Sequence, residues 1–165
     1  MGKQEQLISA LLNHYFVQKT PQLDPGLDWK GAIGTWSEAF RLAILARPNL
    51  SRHLSTENRP ALIEFTRPLL AALIAAQLSE SVAVEVCRSL VHVIVSLTLG
   101  ELETQSHRYD ETAIVGDHLT RLLSIDANAY ERSPDGKTPP PVFLQSIQWL
   151  IGGIELQQQI QVART

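Results

Sequence analysis

The amino-acid sequence predicts an all-α fold, an antiparallel helical domain of about seven helices. Apolar residues recur at intervals of three and four residues through most of the chain, which is the period of one helix face. Proline, glycine and helix-capping residues divide this pattern into segments, and no segment offers a partner for a β-strand. The β-branched segment from Leu90 to Leu99 belongs to an apolar pattern that continues in both directions, beyond the usual length of a strand.

The first predicted element is an amphipathic helix from about Gln4 to Gln18. A turn with Pro21, Pro25 and Gly26 follows it. The second element is a helix in which Asp28 is the N-cap and Pro48 prevents continuation. Its bulky residues fall on one stripe at spacings of four, three, four and four: Trp29, Ile33, Trp36, Phe40 and Ile44.

The rest of the chain predicts a short helical piece, four longer helices and a loop. A short helical piece follows Pro48 as far as Leu54, and Asn58 with Pro60 marks the start of the next helix. Ser79 caps the longest one. The predicted ranges are about 60–76, Glu80–Gln105, Thr112–Ser124 and Val142–Val162, with a Pro/Gly-rich loop from Ile125 to Pro141.

Composition excludes several classes of protein. The formal net charge is −3 and the basic residues are scattered, so the chain by itself is not expected to bind DNA. Cys87 is the one cysteine, which excludes a disulfide framework and favours a cytoplasmic location. The most apolar window covers about ten residues, too few to span a membrane. No metal, cofactor or enzymatic activity is expected, because no catalytic pair or ligand set has a suitable spacing.

Two helices carry more apolar surface than one subunit needs. The ranges Glu80–Gln105 and Val142–Val162 are apolar over more than one stripe, although the helix of a monomer needs only one. Their glycines also cost helix stability unless backbones approach closely there. The two interpretations are an over-hydrophobic monomer core and a homodimer formed through a four-helix bundle, which we favour. The predicted interface comprises Leu97, Gly100, Ile147, Leu150, Ile151 and Ile154.

The order of these features resembles the C-terminal domain of TetR-type transcriptional regulators. Asp28-Trp29 opens a helix that closes at Arg47-Pro48-Asn49-Leu50, and Gln77-Leu78-Ser79 leads into a long helix with Gly100. The closing helix is similar to the family's last helix through Phe143, Ile147, Leu150-Ile151 and Gly153-Ile154-Glu155. Gly2, Leu7 and Ala10-Leu11 look like the helix that follows the DNA-binding domain, although Gln4 stands where the family usually has lysine.

This resemblance implies a division of the chain and a role. Residues 1–19 match the connector helix, and residues 20–165 match the ligand-binding and dimerisation domain of a repressor. Family members begin with a helix-turn-helix domain, which is expected to be absent here, so operator DNA would be bound only in a full-length form. A small hydrophobic effector and a second copy of the chain are the expected partners. The alternative is a structural partner that dimerises with a complete regulator and has no ligand of its own.

The candidate ligand-binding residues are aromatic side chains together with a polar pair. Trp36, Phe40 and Phe65 are the first choices, since ligand sites are mostly apolar and aromatic. His92 and Ser96 lie one helical turn apart and can face the same cavity. Ordinary packing explains the aromatic residues equally well, and a core or interface histidine explains His92. The full predicted set is Tyr15, Trp36, Phe40, Phe65, His92, Ser96 and Trp149.

Overall fold

A computed structural model of the protein describes residues 3–51, 53–54, 59–107 and 138–162. These residues form six helices and no strand, so the all-α prediction is confirmed for this part of the chain. The predicted helix Thr112–Ser124 and most of the predicted loop Ile125–Pro141 lie outside the described residues. The helices are α1 (Lys3–Lys19), α2 (Trp29–Ala46), α3 (Pro48–Ser51), α4 (Arg59–Ala75), α5 (Glu80–His107) and α6 (Pro141–Val162).

Helix α2 forms as its sequence pattern predicts. The Asp28 carboxylate accepts a hydrogen bond from the Gly31 backbone amide at 2.8 Å, which caps the first turn. The helix ends at Ala46, and Pro48 opens α3. Trp29 is half-buried, and the other four residues of the predicted stripe are fully buried. The predicted inner face of α2 is therefore confirmed.

Helix α2 is also the centre of the fold, because it contacts each of the other five described helices. Helices α1 and α4 pack together, and aromatic side chains fill the space between them and α2. Helices α5 and α6 also contact α2, and α5 contacts α4 and α6. Two cationic side chains of α2 reach α6: Lys30 pairs with the Glu155 carboxylate, and the Arg41 guanidinium lies 5.7 Å from the Phe143 ring centroid.

A residue with left-handed backbone geometry ends α4. Gln77 has a φ of 67°, which favours glycine. Its amide donates to the Ile74 carbonyl at 3.0 Å, and the Leu78 amide donates to the Leu73 carbonyl at 3.2 Å. These two bonds form a Schellman motif, which satisfies carbonyl groups that the end of the helix leaves open. The motif turns the chain from α4 towards α5.

Replacing Gln77 by glycine is expected to stabilise the protein by about 1 kcal/mol. Glycine removes the steric cost of a side chain at positive φ, and the exposed glutamine side chain has little packing to lose. Urea titration measures the gain as a rise in the free energy of unfolding. Gln148→Gly is the matched control, since glycine inside α6 is expected to cost about 1 kcal/mol. Destabilisation by Gln77→Gly would contradict the left-handed geometry.

Helix α5 has a longer apolar stretch than the ten-residue window identified in the sequence. An 18-residue window within Glu80–Leu102 has a mean hydropathy of 1.8, so this segment is long and apolar enough to cross a membrane by length and composition. A core helix of a soluble protein meets the same criteria, so membrane association is not established by them. Only 33% of that window is buried, and its exposed residues are mostly polar: Val84, Glu85, Arg88, Ser89, His92 and Ser96.

Candidate functional site

The predicted aromatic residues of α2 and α4 do come together, but as a closely packed cluster. Trp36, Phe40, Phe65 and Phe16 of α1 are each 0% exposed, and we call these four residues the aromatic cluster. Their contacting ring centroids lie 5.0–5.8 Å apart. The Trp36 indole nitrogen donates to the Phe65 carbonyl at 2.9 Å, which satisfies both buried groups. The sequence analysis did not select Phe16, although it lies on the buried face of α1.

The other predicted ligand-binding residues lie elsewhere. Tyr15 is half-buried at the edge of the fold, where its hydroxyl donates to the Ala43 carbonyl at 2.8 Å. His92 and Ser96 are exposed on α5, and Trp149 of α6 is 71% exposed. Among the described residues, the seven predicted side chains therefore do not enclose one cavity. His92, Ser96 and Trp149 are exposed, whereas the aromatic cluster is buried. Ligand binding at these residues stays a prediction.

A buried ion pair joins α2 to α5, and sequence reasoning missed it. The Arg41 Nε and Nη2 atoms donate to the two Glu101 carboxylate oxygens at 2.9 and 2.8 Å. The two side chains are 0% and 1% exposed. Moving two charges out of water costs several kcal/mol each, and the two parallel hydrogen bonds offset that cost. The pair therefore fixes how α2 and α5 face each other.

Two further buried hydroxyls lie on these helices. Thr98 bonds back to the Ile94 carbonyl at 2.6 Å, whereas the Ser37 hydroxyl has no hydrogen-bond partner among the described residues. Ser37 and Arg41 follow Ile33 at intervals of four residues, so both continue an apolar stripe of α2. A charged residue on such a stripe indicates a buried partner. That signal was available in the sequence for Arg41, but it does not identify Glu101.

Helix α6 presents a second apolar face to solvent. Trp149, Leu156 and Ile160 are 71%, 59% and 44% exposed. With Gly153 they follow one another at spacings of four, three and four residues, which places them on one stripe. We call these four residues the outer stripe. A Cβ atom added at Gly153 or Gly152 would meet no atom of the protomer within 4 Å.

None of the six residues predicted for the dimer interface belongs to the outer stripe. Ile147 and Ile154 are 6% and 7% exposed and belong to the core of their own protomer, and their role in a dimer stays a prediction. The sequence pattern could not separate them from the outer stripe, because α6 is apolar on both sides. The remaining predicted interface residues are half-buried: Leu97, Gly100, Leu150 and Ile151.

Two open grooves lie on the described surface. The α5–α6 groove, about 350 Å³, is bordered by Glu85 and Ser89 of α5 and by Trp149 and Gly153 of α6. The α1–α3 groove, about 550 Å³, lies where α1 meets the corner between α2 and α3. Its lining includes Leu11, His14, Tyr15, Arg47, Asn49 and Leu50. The sequence analysis selected only Tyr15 from this lining.

The described residues offer little for metal or thiol chemistry. No group of three or more His, Cys, Asp or Glu side chains within the described ranges is placed to hold a metal ion. Cys87 is buried, and burial raises the pKa of its thiol to about 11. Because the thiolate is the reactive form, this cysteine is inert near neutral pH.

Comparisons with known proteins give no match, whether with family models, curated proteins or solved structures. The resemblance to TetR-type regulators therefore depends on the sequence features described above.

Proposed function

We propose that this chain is the effector-binding and homodimerisation domain of a TetR-like transcriptional regulator, a cytoplasmic repressor that responds to a small apolar ligand. The observation that carries the proposal is the outer stripe of α6, which is apolar and exposed in one protomer. It lies beside α5, on which Val91, Val95 and Leu97 are half-buried. Two such helices from each of two copies would form the four-helix bundle that the resemblance implies.

The glycines of α6 support this arrangement. Gly152 and Gly153 are exposed and meet no side chain of the described residues, so packing within this part of the chain does not explain their small size. Each costs roughly 1 kcal/mol of helix stability relative to alanine. Close approach of a partner helix would offset this cost, with Trp149 as the bulky residue and Gly153 as the space one turn away.

The proposed regulation operates by a shift between two packings of the helices. A ligand can favour one packing only through a difference in its affinity for the two. In a full-length relative, the resemblance implies that α1 would transmit the shift to a DNA-binding domain. A thermal-shift screen with apolar small molecules tests this part, and stabilisation by none of them would count against it.

Gly153→Glu is expected to weaken the dimer at least about 100-fold. The side chain fits the isolated protomer, but the dimer would desolvate two carboxylates and bring them close together. Sedimentation equilibrium at micromolar concentrations should find a dimer for the wild-type chain and a monomer for the variant.

The control for this substitution is Gln148→Glu, which adds the same charge at an exposed site on a flank of α6, about 140° around the helix from Gly153. It should dimerise as the wild-type chain does. If the wild-type chain is a monomer, or if Gly153→Glu dimerises with unchanged affinity, the outer stripe does not form the dimer interface.

A second candidate is a structural partner that dimerises with a complete regulator and binds no ligand. The closely packed aromatic cluster favours it, since the residues expected to line an effector cavity instead fill the core. Capture of a helix-turn-helix regulator by the wild-type chain but not by Gly153→Glu, together with no ligand response, would support this second function over the first.

A further inference from the structure

The α1–α3 groove has the size and floor of a small-molecule site. Its volume of about 550 Å³ falls within the range of ligand pockets, roughly 300–1,000 Å³. Leu11 of α1 and Leu50 of α3 supply apolar surface, with Pro48 at the start of α3. Leu11 is 49% exposed although it is a large apolar residue. An apolar group lying in the groove would cover it.

The rim of the same groove is positively charged and rich in donors. Arg47 lines it, and no described carboxylate forms an ion pair with this guanidinium. Among the described residues the lining contains no Asp or Glu, while His14, Gln18 and Asn49 add side chains that can donate hydrogen bonds. Burial raises the pKa of the Tyr15 phenol, and the nearby Arg47 charge offsets part of that rise. Arg47 and the Tyr15 hydroxyl are therefore electrostatic neighbours.

The other groove has the opposite character. Glu85 borders the α5–α6 groove, and its lining contains no Lys, Arg or His. It also contains Gly153 and Trp149, which we assign to the dimer contact. Charge complementarity therefore assigns an anionic ligand to the α1–α3 groove and not to the α5–α6 groove.

We propose that the α1–α3 groove binds a small amphiphilic carboxylate, with its carboxylate at Arg47 and its apolar tail against Leu11 and Leu50. Such a ligand joins α1 to the corner between α2 and α3, whereas α1 otherwise packs mainly on α4. It would also contact Tyr15, whose hydroxyl is bonded to the backbone of α2. A regulatory role for this binding rests on the proposed function, because α1 transmits a signal only in such a regulator. The binding itself does not depend on the proposed function.

Octanoate is the probe, and octan-1-ol is its neutral control. Isothermal titration of the wild-type chain should show saturable binding of octanoate, and octan-1-ol should bind at least about tenfold more weakly because it lacks the charge. Arg47→Gln should reduce octanoate affinity about tenfold and leave the affinity for octan-1-ol unchanged. Arg67→Gln is the matched control, since Arg67 is exposed on α4 and does not line the groove. It should bind octanoate as the wild-type chain does.

Two of the three tryptophans serve as reporters outside the groove. Trp36 lies in the aromatic cluster, Trp149 borders the α5–α6 groove, and neither lines the α1–α3 groove. In a ¹⁵N–¹H spectrum, octanoate should shift the side-chain amide signals of Gln18 and Asn49 and leave both of these indole signals in place. A shift of the Trp36 or Trp149 indole signal without the amide shifts would place the probe elsewhere and overturn the proposal.

Failure of this proposal is distinguishable from failure of the proposed function. No saturable octanoate binding up to millimolar concentration, or equal loss of octanoate and octan-1-ol binding in Arg47→Gln, would overturn the carboxylate site. Sedimentation of the same samples reports dimerisation independently. A dimer that does not bind octanoate would overturn the carboxylate site but support the dimerisation domain. A monomer that binds octanoate would support the carboxylate site but contradict its regulatory role.

Discussion

Replacing Arg41 by methionine is expected to lower the free energy of unfolding by about 3–5 kcal/mol. The substitution leaves the Glu101 carboxylate buried without the guanidinium that neutralises it. Glu101→Leu should cost a similar amount, because it leaves the Arg41 charge buried instead. Urea titration at a fixed protein concentration measures both losses, since the stability of a dimer depends on concentration.

The double variant decides whether the ion pair is the cause. Arg41→Met with Glu101→Leu removes both charges, so it should cost far less than the sum of the two single losses. Additive losses, within about 0.5 kcal/mol, would show that the two side chains stabilise the fold independently. Arg88→Met is the control: this arginine pairs with Glu85 on the surface, where removal is expected to change stability by no more than about 0.5 kcal/mol.

Trp36→Ala is expected to lower the free energy of unfolding by about 3–5 kcal/mol. The side chain is fully buried, the neighbouring Phe40 and Phe65 rings leave little room for collapse, and its hydrogen bond to the Phe65 carbonyl is lost. A loss below about 1.5 kcal/mol would instead indicate that Trp36 borders an empty cavity, as an effector site there requires.

Trp36→Phe separates packing from hydrogen bonding at this position. Phenylalanine keeps most of the apolar volume but donates no hydrogen bond, so a loss of about 1–3 kcal/mol is expected from the missing hydrogen bond and the smaller ring. If Trp36→Phe were as damaging as Trp36→Ala, the hydrogen bond and not the ring packing would dominate. Both variants are measured under the same conditions as the Arg41 series.

Local patterns allowed part of the fold to be predicted from the sequence. The stripe of α2, its Asp28 cap and its end before Pro48 depend on neighbours a few residues apart, and all three are observed. The Arg41–Glu101 pair joins positions 60 residues apart, which no periodicity can relate. On α6 the helical period was predicted correctly, but the sequence did not show which face is buried. Ile154 and Leu156 have similar side chains, yet the first is buried and the second is exposed.

The candidate site was less predictable than the fold. Aromatic side chains on a helix stripe suit a core and a ligand cavity equally, and only the ring contacts around Phe40 separate the two. The α1–α3 groove arises where three helices meet, with Leu11 on α1 and Arg47 at the end of α2. The two residues are close only in the folded structure, and neither sequence segment indicates this.

The two cationic contacts between α2 and α6 differ in how they respond to salt. Lys30 and Glu155 are about 40% exposed, so dissolved ions weaken their attraction, whereas Arg41 beside Phe143 is shielded from them. Rising ionic strength is therefore expected to weaken the contact between α2 and α6 at Glu155 and to leave the contact at Phe143 unchanged. Because Ile154 holds the same stretch of α6 in the core, the helix stays in place and only the Lys30 and Glu155 side chains separate.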